Sequence, residues 1–216
     1  MRKGSLLREL PLLVILALVV SLLIKSFLVQ FFYIPSGSME NTLQINDRVA
    51  VNKVPFIGKS IKRGDVVVFR DPDNWLPEPY EGDQNKYLAM VKDALVAVGV
   101  LPNPTKQYLV KRVIGVAGDK VECCSKNKKL MINGKEINEP YIFAGNSPSD
   151  TNFNVTVPAG KIWVMGDHRA ASADSRFHQD DINNGMVPTS KITGKVVGII
   201  WPIKNLGLVD SFSSLK

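Results

Sequence analysis

The longest apolar segment of the chain lies near its N-terminus, at residues 12–29, and Lys25 interrupts it close to its far end. As a helix these 18 residues would be about 27 Å long, which is enough to cross the hydrocarbon core of a bilayer. The basic residues Arg2, Lys3 and Arg8 precede the segment. Because positive residues stay on the cytoplasmic side, the pattern predicts a membrane anchor whose N-terminus is cytoplasmic.

A cleaved signal peptide is the alternative interpretation of this segment. Such a peptide ends in a small-x-small cleavage site, and the residues that follow here, 30–34 (Gln-Phe-Phe-Tyr-Ile), offer none. We therefore expect a cytoplasmic tail at 1–9, a retained transmembrane anchor at 10–29 and an extracytoplasmic domain at 30–216. Three aromatic residues would then form a belt at the membrane interface: Phe31, Phe32 and Tyr33.

Beyond the anchor, the pattern changes to short alternating or continuous apolar runs bounded by turn residues. Such runs are typical of β-strands, and they lie at 47–54, 65–69, 108–116, 121–124, 162–165 and 195–200. Residues 130–137 form a further pair of short runs around Asn133–Gly134, which indicates a hairpin. The sequence therefore predicts a mainly β domain built from folded antiparallel sheets, barrel-like in outline.

Residues 70–104 depart from this strand pattern. The segment begins with several prolines and then places Leu88, Val91, Leu95 and Val98 on one face of a helix. We expect a surface insertion with one small helix, packed either on the β domain or against lipid.

The overall charge narrows the classes of partner. The chain carries 27 Lys+Arg against 20 Asp+Glu, a formal net charge of +7. The positive residues are scattered and form no arginine-rich stripe with interleaved aromatics, which argues against nucleic acid and favours an anionic membrane surface. No His, Cys, Asp and Glu spacing typical of a metal site is visible.

The two cysteines, Cys123 and Cys124, are adjacent. Across a trans peptide their Cα atoms would be about 3.8 Å apart, below the usual range for a disulfide. We expect two packed thiols in a strand, with a vicinal bridge as the alternative in an oxidising compartment.

Three further segments contain residue types suited to chemistry. Residues 34–39 place Ser36 and Ser38 among apolar neighbours directly after the anchor. Lys111 lies within an apolar strand, on the face that also carries Leu109 and Val113. Residues 166–176 are dense in Ser, Asp and Arg. Each segment alone has an ordinary explanation: a linker loop, an exposed strand face and a surface turn.

Together these segments resemble the type I signal peptidase family, the membrane-bound serine–lysine proteases of bacteria. Four blocks match in the family's order: 35–39 (Pro-Ser-Gly-Ser-Met), 63–69, 111–119 and 166–176. The resemblance covers most of residues 31–201. It implies an endopeptidase that removes N-terminal signal peptides from exported pre-proteins, with the lipid bilayer as a second partner and no metal or organic cofactor.

The resemblance also implies roles for individual residues. Ser38 would be the nucleophile and Lys111 its general base, while the Ser36 hydroxyl and the Ser38 backbone N–H would form the oxyanion hole. Ser172 would hydrogen-bond to Lys111 and orient it, and Asp174 and Arg176 would brace the scaffold behind it. The substrate pockets would be lined by Ile34, Pro35, Met39, Leu43, Leu109 and Val110.

The chain departs from the family pattern at three places beside these groups. Asn41 stands where the family commonly has proline, and His168 stands where it often has asparagine. Ala170 and Ala171 replace an Asp-Asn pair.

Elementary chemistry explains why such a site needs a buried lysine. A serine hydroxyl is a weak nucleophile until a base removes its proton, and a lysine with its ordinary pKa near ~10.4 is charged at neutral pH. Burial among apolar groups lowers the pKa. A decrease of about 2 units corresponds to about 2.7 kcal/mol.

Three alternatives compete with this interpretation. A Ser-His protease would use His168 or His178, the two histidines of the chain. A self-cleaving Ser-Lys repressor would carry a DNA-binding helical domain, which the sequence does not indicate. A non-catalytic, membrane-anchored β module that binds envelope partners would leave Ser38 unreactive.

Overall fold

The computed structural model describes residues 6–53, 61–77 and 107–212. Helix α1 (Leu6–Leu28) covers the N-terminal apolar segment and ends one residue before the predicted boundary of the anchor. Within the described residues, no helix combines the length and the apolar character that crossing a membrane requires. The helix predicted within the insertion at 70–104 falls outside the described residues.

Twelve described strands make up most of the remaining regular structure. They are β1 (Val29–Tyr33), β2 (Arg48–Asn52), β3 (Val66–Arg70), β4 (Tyr108–Gly115), β5 (Lys120–Cys123), β6 (Met131–Ile132), β7 (Lys135–Glu136), β8 (Phe153–Thr156), β9 (Lys161–Met165), β10 (Val187–Pro188), β11 (Ile192–Trp201) and β12 (Gly207–Leu208). Single 3-10 turns connect several of them, including Gly37–Met39, Arg169–Ala171 and Ser175–Phe177.

The strands form two antiparallel sheets. The larger sheet has the order β1-β2-β11-β3-β4-β9-β10, with β12 paired to β11, and the smaller has the order β7-β6-β5-β8. Each pair of strands is antiparallel. The prediction of a mainly β domain is confirmed.

The larger sheet is buried on both faces at its centre. In β3, Val66 and Val68 pack into one hydrophobic cluster while Val67 and Phe69 pack into another. This explains why β3 reads as a continuous apolar run, since a strand covered on both faces needs no polar side. A third cluster, centred on Trp163, lies between the smaller sheet and β9.

The predicted aromatic belt needs correction. Phe31, Phe32 and Tyr33 belong to β1, which pairs along its length with β2. Alternate residues of a strand point to opposite faces, so Phe32 is buried in the core at 6% exposure while Phe31 and Tyr33 are exposed. Phe32 is therefore a core residue, and its assignment to the belt is wrong.

For the two cysteines, the structure has the alternative arrangement rather than the expected pair of thiols. Cys123 and Cys124 form a disulfide, and the peptide between them is cis. Their Cα atoms are 2.9 Å apart rather than separated by the longer trans spacing on which the expectation of two free thiols rested.

Candidate active site

The serine segment folds as a compact turn directly after β1. Ser38 lies in the 3-10 turn Gly37–Met39, and the backbone N–H groups of Thr42 and Leu43 donate to the Met39 carbonyl. Ser38 is 8% exposed. We call residues 37–42 the nucleophile turn.

Lys111 reaches this turn from the middle of β4. Its Nζ lies 2.5 Å from Ser38 Oγ, although the two residues are 73 positions apart in the chain. Lys111 is 4% exposed. Burial lowers the pKa of its ammonium to about 8, against the opposing attraction of Asp174 and Asp167. The structure therefore brings the two residues with predicted catalytic roles into direct contact.

The third predicted segment, residues 166–176, forms a loop that we call the scaffold loop. Its centre is the fully buried carboxylate of Asp174, which accepts hydrogen bonds from the Ser172 hydroxyl at 2.8 Å and the Gly166 N–H at 2.9 Å. Arg176 donates to both oxygens of the same carboxylate. Asp174 and Arg176 are thus bonded to each other within the loop. The Ser172 hydroxyl, expected to hydrogen-bond to Lys111, donates to Asp174.

The scaffold loop packs closely on the nucleophile turn. The His168 N–H donates to the Ser38 carbonyl at 3.2 Å. A Cβ added at Gly166 would meet Ser172 Oγ at 2.2 Å and the Ser38 carbonyl oxygen at 2.4 Å, so a side chain at this position would push the two segments apart. The close approach explains why glycine opens the scaffold loop.

Ser36 lies at the entrance of the site. Its backbone is extended, with φ −128° and ψ 156°, and its side chain makes no capping hydrogen bond to the 3-10 turn that follows. The residue is exposed. Its hydroxyl is therefore not used to cap the turn.

A cleft of about 290 Å³ opens beside Ser38 and Lys111. The predicted residues that line it are Ile34, Pro35, Ser36, Met39, Leu109 and Val110. Leu43 does not line the cleft. Leu43 is fully buried in the core, since the backbone hydrogen bonds to the Met39 carbonyl turn the chain inward at this residue. Its predicted role in the substrate pocket is therefore replaced by a role in core packing.

Other lining residues were not predicted: Phe32, Tyr33, Leu76, Tyr108, Ala171 and Ala173. Two of them, Ala171 and Ala173, flank Ser172 within residues 166–176, so their position beside a predicted site residue is the available signal. Leu76 lies in the loop after β3 and precedes Pro77, and nothing in its local pattern distinguishes it from other loop residues.

A second buried network was also missed. Arg112, the neighbour of Lys111, donates to both oxygens of Asp167 at 2.9 and 2.7 Å, and all of these groups are buried. Thr42 donates to the same carboxylate, and Arg112 also donates to Thr42 Oγ1. The network ties β4, the nucleophile turn and the scaffold loop together. The signal was the cation within an apolar strand and the aspartate directly after glycine.

Among the described residues, no group of three or more His, Cys, Asp or Glu side chains is arranged to hold a metal ion. The site geometry is that of a serine hydroxyl beside a buried amine, which suits acyl transfer through a serine nucleophile.

Comparison with known proteins is consistent with this chemistry. The family model described as signal peptidase, peptidase S26 matches residues 7–201. The probable signal peptidase I of Mycobacterium leprae is 36% identical over 241 residues, covering 99% of this chain and 82% of that protein. Signal peptidase I of Mycobacterium tuberculosis is 37% identical over 230 residues, covering 97% and 77%.

A solved structure, signal peptidase I from Enterococcus faecalis V583, aligns with a TM-score of 0.38 and 24% identity, covering 63% of this chain and 97% of that chain. The match to the family model extends over most of the sequence, and the relatives align along nearly its whole length. This chain belongs to the signal peptidase, peptidase S26 family.

Proposed function

We propose that Ser38 and Lys111 are the catalytic dyad with which this chain cleaves its substrates. As a member of its family, the chain is a serine endopeptidase that removes N-terminal signal peptides from exported pre-proteins. The observation that carries the dyad is the 2.5 Å contact between Lys111 Nζ and Ser38 Oγ, made between two buried side chains.

The lowered pKa of Lys111 suits the role of general base. With a pKa of about 8, roughly one tenth of the lysine is neutral at pH 7, whereas a lysine near ~10.4 would be neutral in fewer than about one molecule in a thousand. The neutral amine accepts the Ser38 proton as Oγ attacks the scissile carbonyl carbon. The resulting ammonium then donates that proton to the leaving amine, and water hydrolyses the acyl-enzyme with Lys111 again as base.

The negative charge that develops on the carbonyl oxygen needs two aimed donors. The Ser38 backbone N–H lies within the 3-10 turn, and the Ser36 hydroxyl makes no capping hydrogen bond to that turn. Ser36 also lines the cleft beside Ser38. We assign the oxyanion hole to these two groups.

The strand pattern favours a substrate bound in extended form. β3 pairs with β4 from Tyr108 to Arg112, while β9 pairs with β4 from Arg112 onward. Among the described strands, the segment Tyr108–Lys111 therefore has a partner on one side, and its other edge borders the cleft. A peptide added at this edge would gain backbone hydrogen bonds and would direct alternate side chains to the same wall.

This arrangement accounts for a preference for small residues. Signal peptides end in small-x-small before the cleaved bond, and positions one and three lie on the same side of an extended chain. The cleft wall is apolar and shallow, with Ile34, Met39, Leu109 and Val110 on it. We infer that larger side chains at those two positions would collide with this wall.

We further propose that residues 10–29 anchor the chain in the membrane, with residues 1–9 cytoplasmic and the β domain at 30–216 outside. The support is the apolar run at 12–29 with basic residues before it. Alkaline carbonate extraction of membranes from expressing cells should leave the full chain in the membrane fraction. External protease should digest the domain in spheroplasts, and release by carbonate would overturn the anchor.

The dyad is tested by cleavage of a purified precursor in detergent. We expect Ser38→Ala and Lys111→Ala to lower the rate at least about 10³-fold, because the nucleophile or its activation is lost. Lys120→Ala and Ser190→Ala, at exposed positions away from the cleft, are the matched controls. Circular dichroism should show that all four variants are folded.

If either Ser38→Ala or Lys111→Ala cleaved the precursor at the wild-type rate, the proposed dyad would be excluded. Loss of activity on substituting His168 as complete as that of Ser38→Ala would indicate a Ser-His enzyme instead. Failure of the wild type to cleave any precursor, with Ser38 unlabelled by a serine-reactive peptide mimic, would favour the non-catalytic module.

A further inference from the structure

We propose that His168 and Glu40 form a positioning pair that holds the nucleophile turn in its reactive geometry. The proposal rests on the proposed function of Ser38 and Lys111, and it assigns a role to two side chains that do not contact the reacting atoms. Its basis is a set of contacts between the scaffold loop and the turn, made by two residues that do not line the cleft.

The two side chains are joined by a hydrogen bond. His168 Nδ1 lies 2.9 Å from Glu40 Oε2, and both side chains are about one fifth exposed. Since an ionised carboxylate accepts but cannot donate, the donor of this hydrogen bond is Nδ1–H and the acceptor is the Glu40 carboxylate. The imidazole is stacked on Phe143 with ring centroids 4.1 Å apart and an interplanar angle of 14°. The histidine ring therefore has a defined orientation.

The carboxylate that accepts this bond lies against the residue before the nucleophile. A Cβ added at Gly37 would be 2.8 Å from Glu40 Cδ and 2.9 Å from Oε2. The Glu40 N–H also donates to the Gly37 carbonyl at 3.0 Å, which closes the turn around Ser38. The Glu40 side chain thus folds back over the turn rather than extending into solvent.

His168 contacts the turn at a second point. Its backbone N–H donates to the Ser38 carbonyl at 3.2 Å, while its side chain binds Glu40 two residues later. One residue of the scaffold loop therefore holds both the nucleophile residue and the residue that ends its 3-10 turn. Displacement of the histidine would loosen both contacts together.

The next residue of the turn is bound in a similar way. Asn41 has a φ of +84°, and its side-chain amide donates to the Tyr141 carbonyl at 3.0 Å. Proline cannot adopt this φ and has no such donor. Both Asn41 and His168 are positions at which the sequence departs from the family pattern, and in this chain both side chains attach the nucleophile turn to neighbouring loops.

The expected consequence is kinetic. Displacing a reacting group by about 1 Å lowers a rate on the order of 10²-fold, and the turn carries both Ser38 Oγ and the Ser38 N–H. Ten of the 14 residues that line the cleft lie outside both the nucleophile turn and the scaffold loop. Loss of the pair should therefore lower kcat and leave KM nearly unchanged.

The chain provides a matched control in its second histidine. His178 Nδ1 lies 3.0 Å from Asp181 Oδ2, and its ring is stacked on Trp75 with centroids 4.4 Å apart. The His178 pair also places an imidazole beside a carboxylate, although without hydrogen-bond geometry, and the exposure of its histidine is nearly the same, 18% against 19%. It makes no contact with the nucleophile turn among the described contacts.

The test is a double-mutant cycle on precursor cleavage with His168→Ala, Glu40→Ala and the double variant. We expect each single substitution to lower kcat about tenfold with KM within about twofold, and the double variant to lose little more than either single one. Glu40→Gln should restore most of the rate, because its amide oxygen still accepts from Nδ1. His178→Ala should keep the wild-type kcat.

Additive losses, a wild-type kcat in both single variants, or an equal loss in His178→Ala would overturn the positioning role. If His168→Ala or Glu40→Ala has a lowered urea midpoint, the role of the pair is judged from the kcat of Glu40→Gln, because that variant keeps the contact with His168. Ser38→Ala is measured in parallel. If Ser38→Ala is inactive while His168→Ala is fully active, the positioning role is excluded and the proposed dyad is supported. An active Ser38→Ala would instead exclude the dyad itself.

Discussion

Lys111 and Arg112 are adjacent in β4, both are buried, and their surroundings differ in kind. The Lys111 amine points to an apolar cleft and meets a neutral hydroxyl, Ser38 Oγ, at 2.5 Å. The Arg112 guanidinium meets the Asp167 carboxylate through two hydrogen bonds and donates to the Gly64 carbonyl at 2.7 Å. It also lies 4.3 Å from the centroid of the Tyr141 ring.

The difference shows how one strand can carry two cations with opposite roles. A buried charge is tolerated when a carboxylate and further acceptors satisfy it, which is the situation of Arg112. A buried lysine with a weaker set of partners releases its proton more readily, and Lys111 has its pKa lowered to about 8. We therefore expect the Arg112 side of β4 to contribute to stability, while the Lys111 side carries the proposed base.

The largest expected effect is on the rate of precursor cleavage, which should depend on Lys111. Lys111→Met should lower precursor cleavage by at least about 10³-fold, because the base is removed, and leave the free energy of unfolding unchanged or higher at pH 7. The measurements are single-turnover cleavage and urea denaturation. A clear loss of stability would mean that Lys111 also has a structural role.

Methionine at position 112 should instead lower the stability of the fold rather than remove the base. Arg112→Met leaves Asp167 buried without its cation, which costs about 3–5 kcal/mol of stability. We expect a correspondingly lower urea midpoint, with activity lost in proportion to the unfolded fraction. The comparison would fail if Arg112→Met were as stable as Lys111→Met.

The pH dependence of stability sharpens the contrast. Below about pH 8 both the folded and the unfolded chain hold the Lys111 proton, so folding bears the full cost of burying the ammonium. Between about 8 and 10.5, the ordinary pKa of a lysine, the unfolded chain holds more of that proton, so stability rises with pH. Wild type should gain about 3 kcal/mol relative to Lys111→Met across this window.

Activity should follow the same group. Because the neutral amine is the base, kcat/KM should rise about tenfold between pH 7 and pH 9 and level off above the pKa of about 8. Initial rates on a precursor in a series of buffers at constant ionic strength test this. A profile governed by a group near pH 6 would point to histidine.

The smallest expected effect concerns the wall of the cleft on the Lys111 side. Leu76→Ala should raise KM about two- to fivefold with little change in kcat, because part of an apolar contact with the substrate is lost. Leu206→Ala, an exposed leucine outside the cleft, is the control. Equal effects in both variants would exclude Leu76 from substrate contact.

Local patterns predicted much of the fold and failed where they were ambiguous. Strands β2 to β7, β9 and β11 fall on predicted runs, since their alternation and turn residues are local properties. β1 was missed because Val29 continues the apolar run of the anchor, and periodicity does not separate a helix from a strand in such a run. β10 and β12 have two residues each, too few to show a period.

The candidate site divides in a similar way. Ser38, Lys111 and Asp174 stand in recognisable blocks, and the structure brings all three blocks together. The Arg112–Asp167 pair and the contact between His168 and Glu40 join residues 55 and 128 positions apart. No local pattern specifies such pairs, because they depend on the packing of loops from distant parts of the chain.

The amino-acid sequence by itself determined that this protein is mainly β and which blocks hold its serine, its lysine and its polar loop. Strand periodicity and the order of those blocks are properties of neighbouring residues. Only the tertiary structure decided the surroundings of the two adjacent cations, because Lys111 lies beside the Ser38 hydroxyl and Arg112 is paired with Asp167. Remote segments supply these surroundings, which determine the free energy of a charge inside a protein.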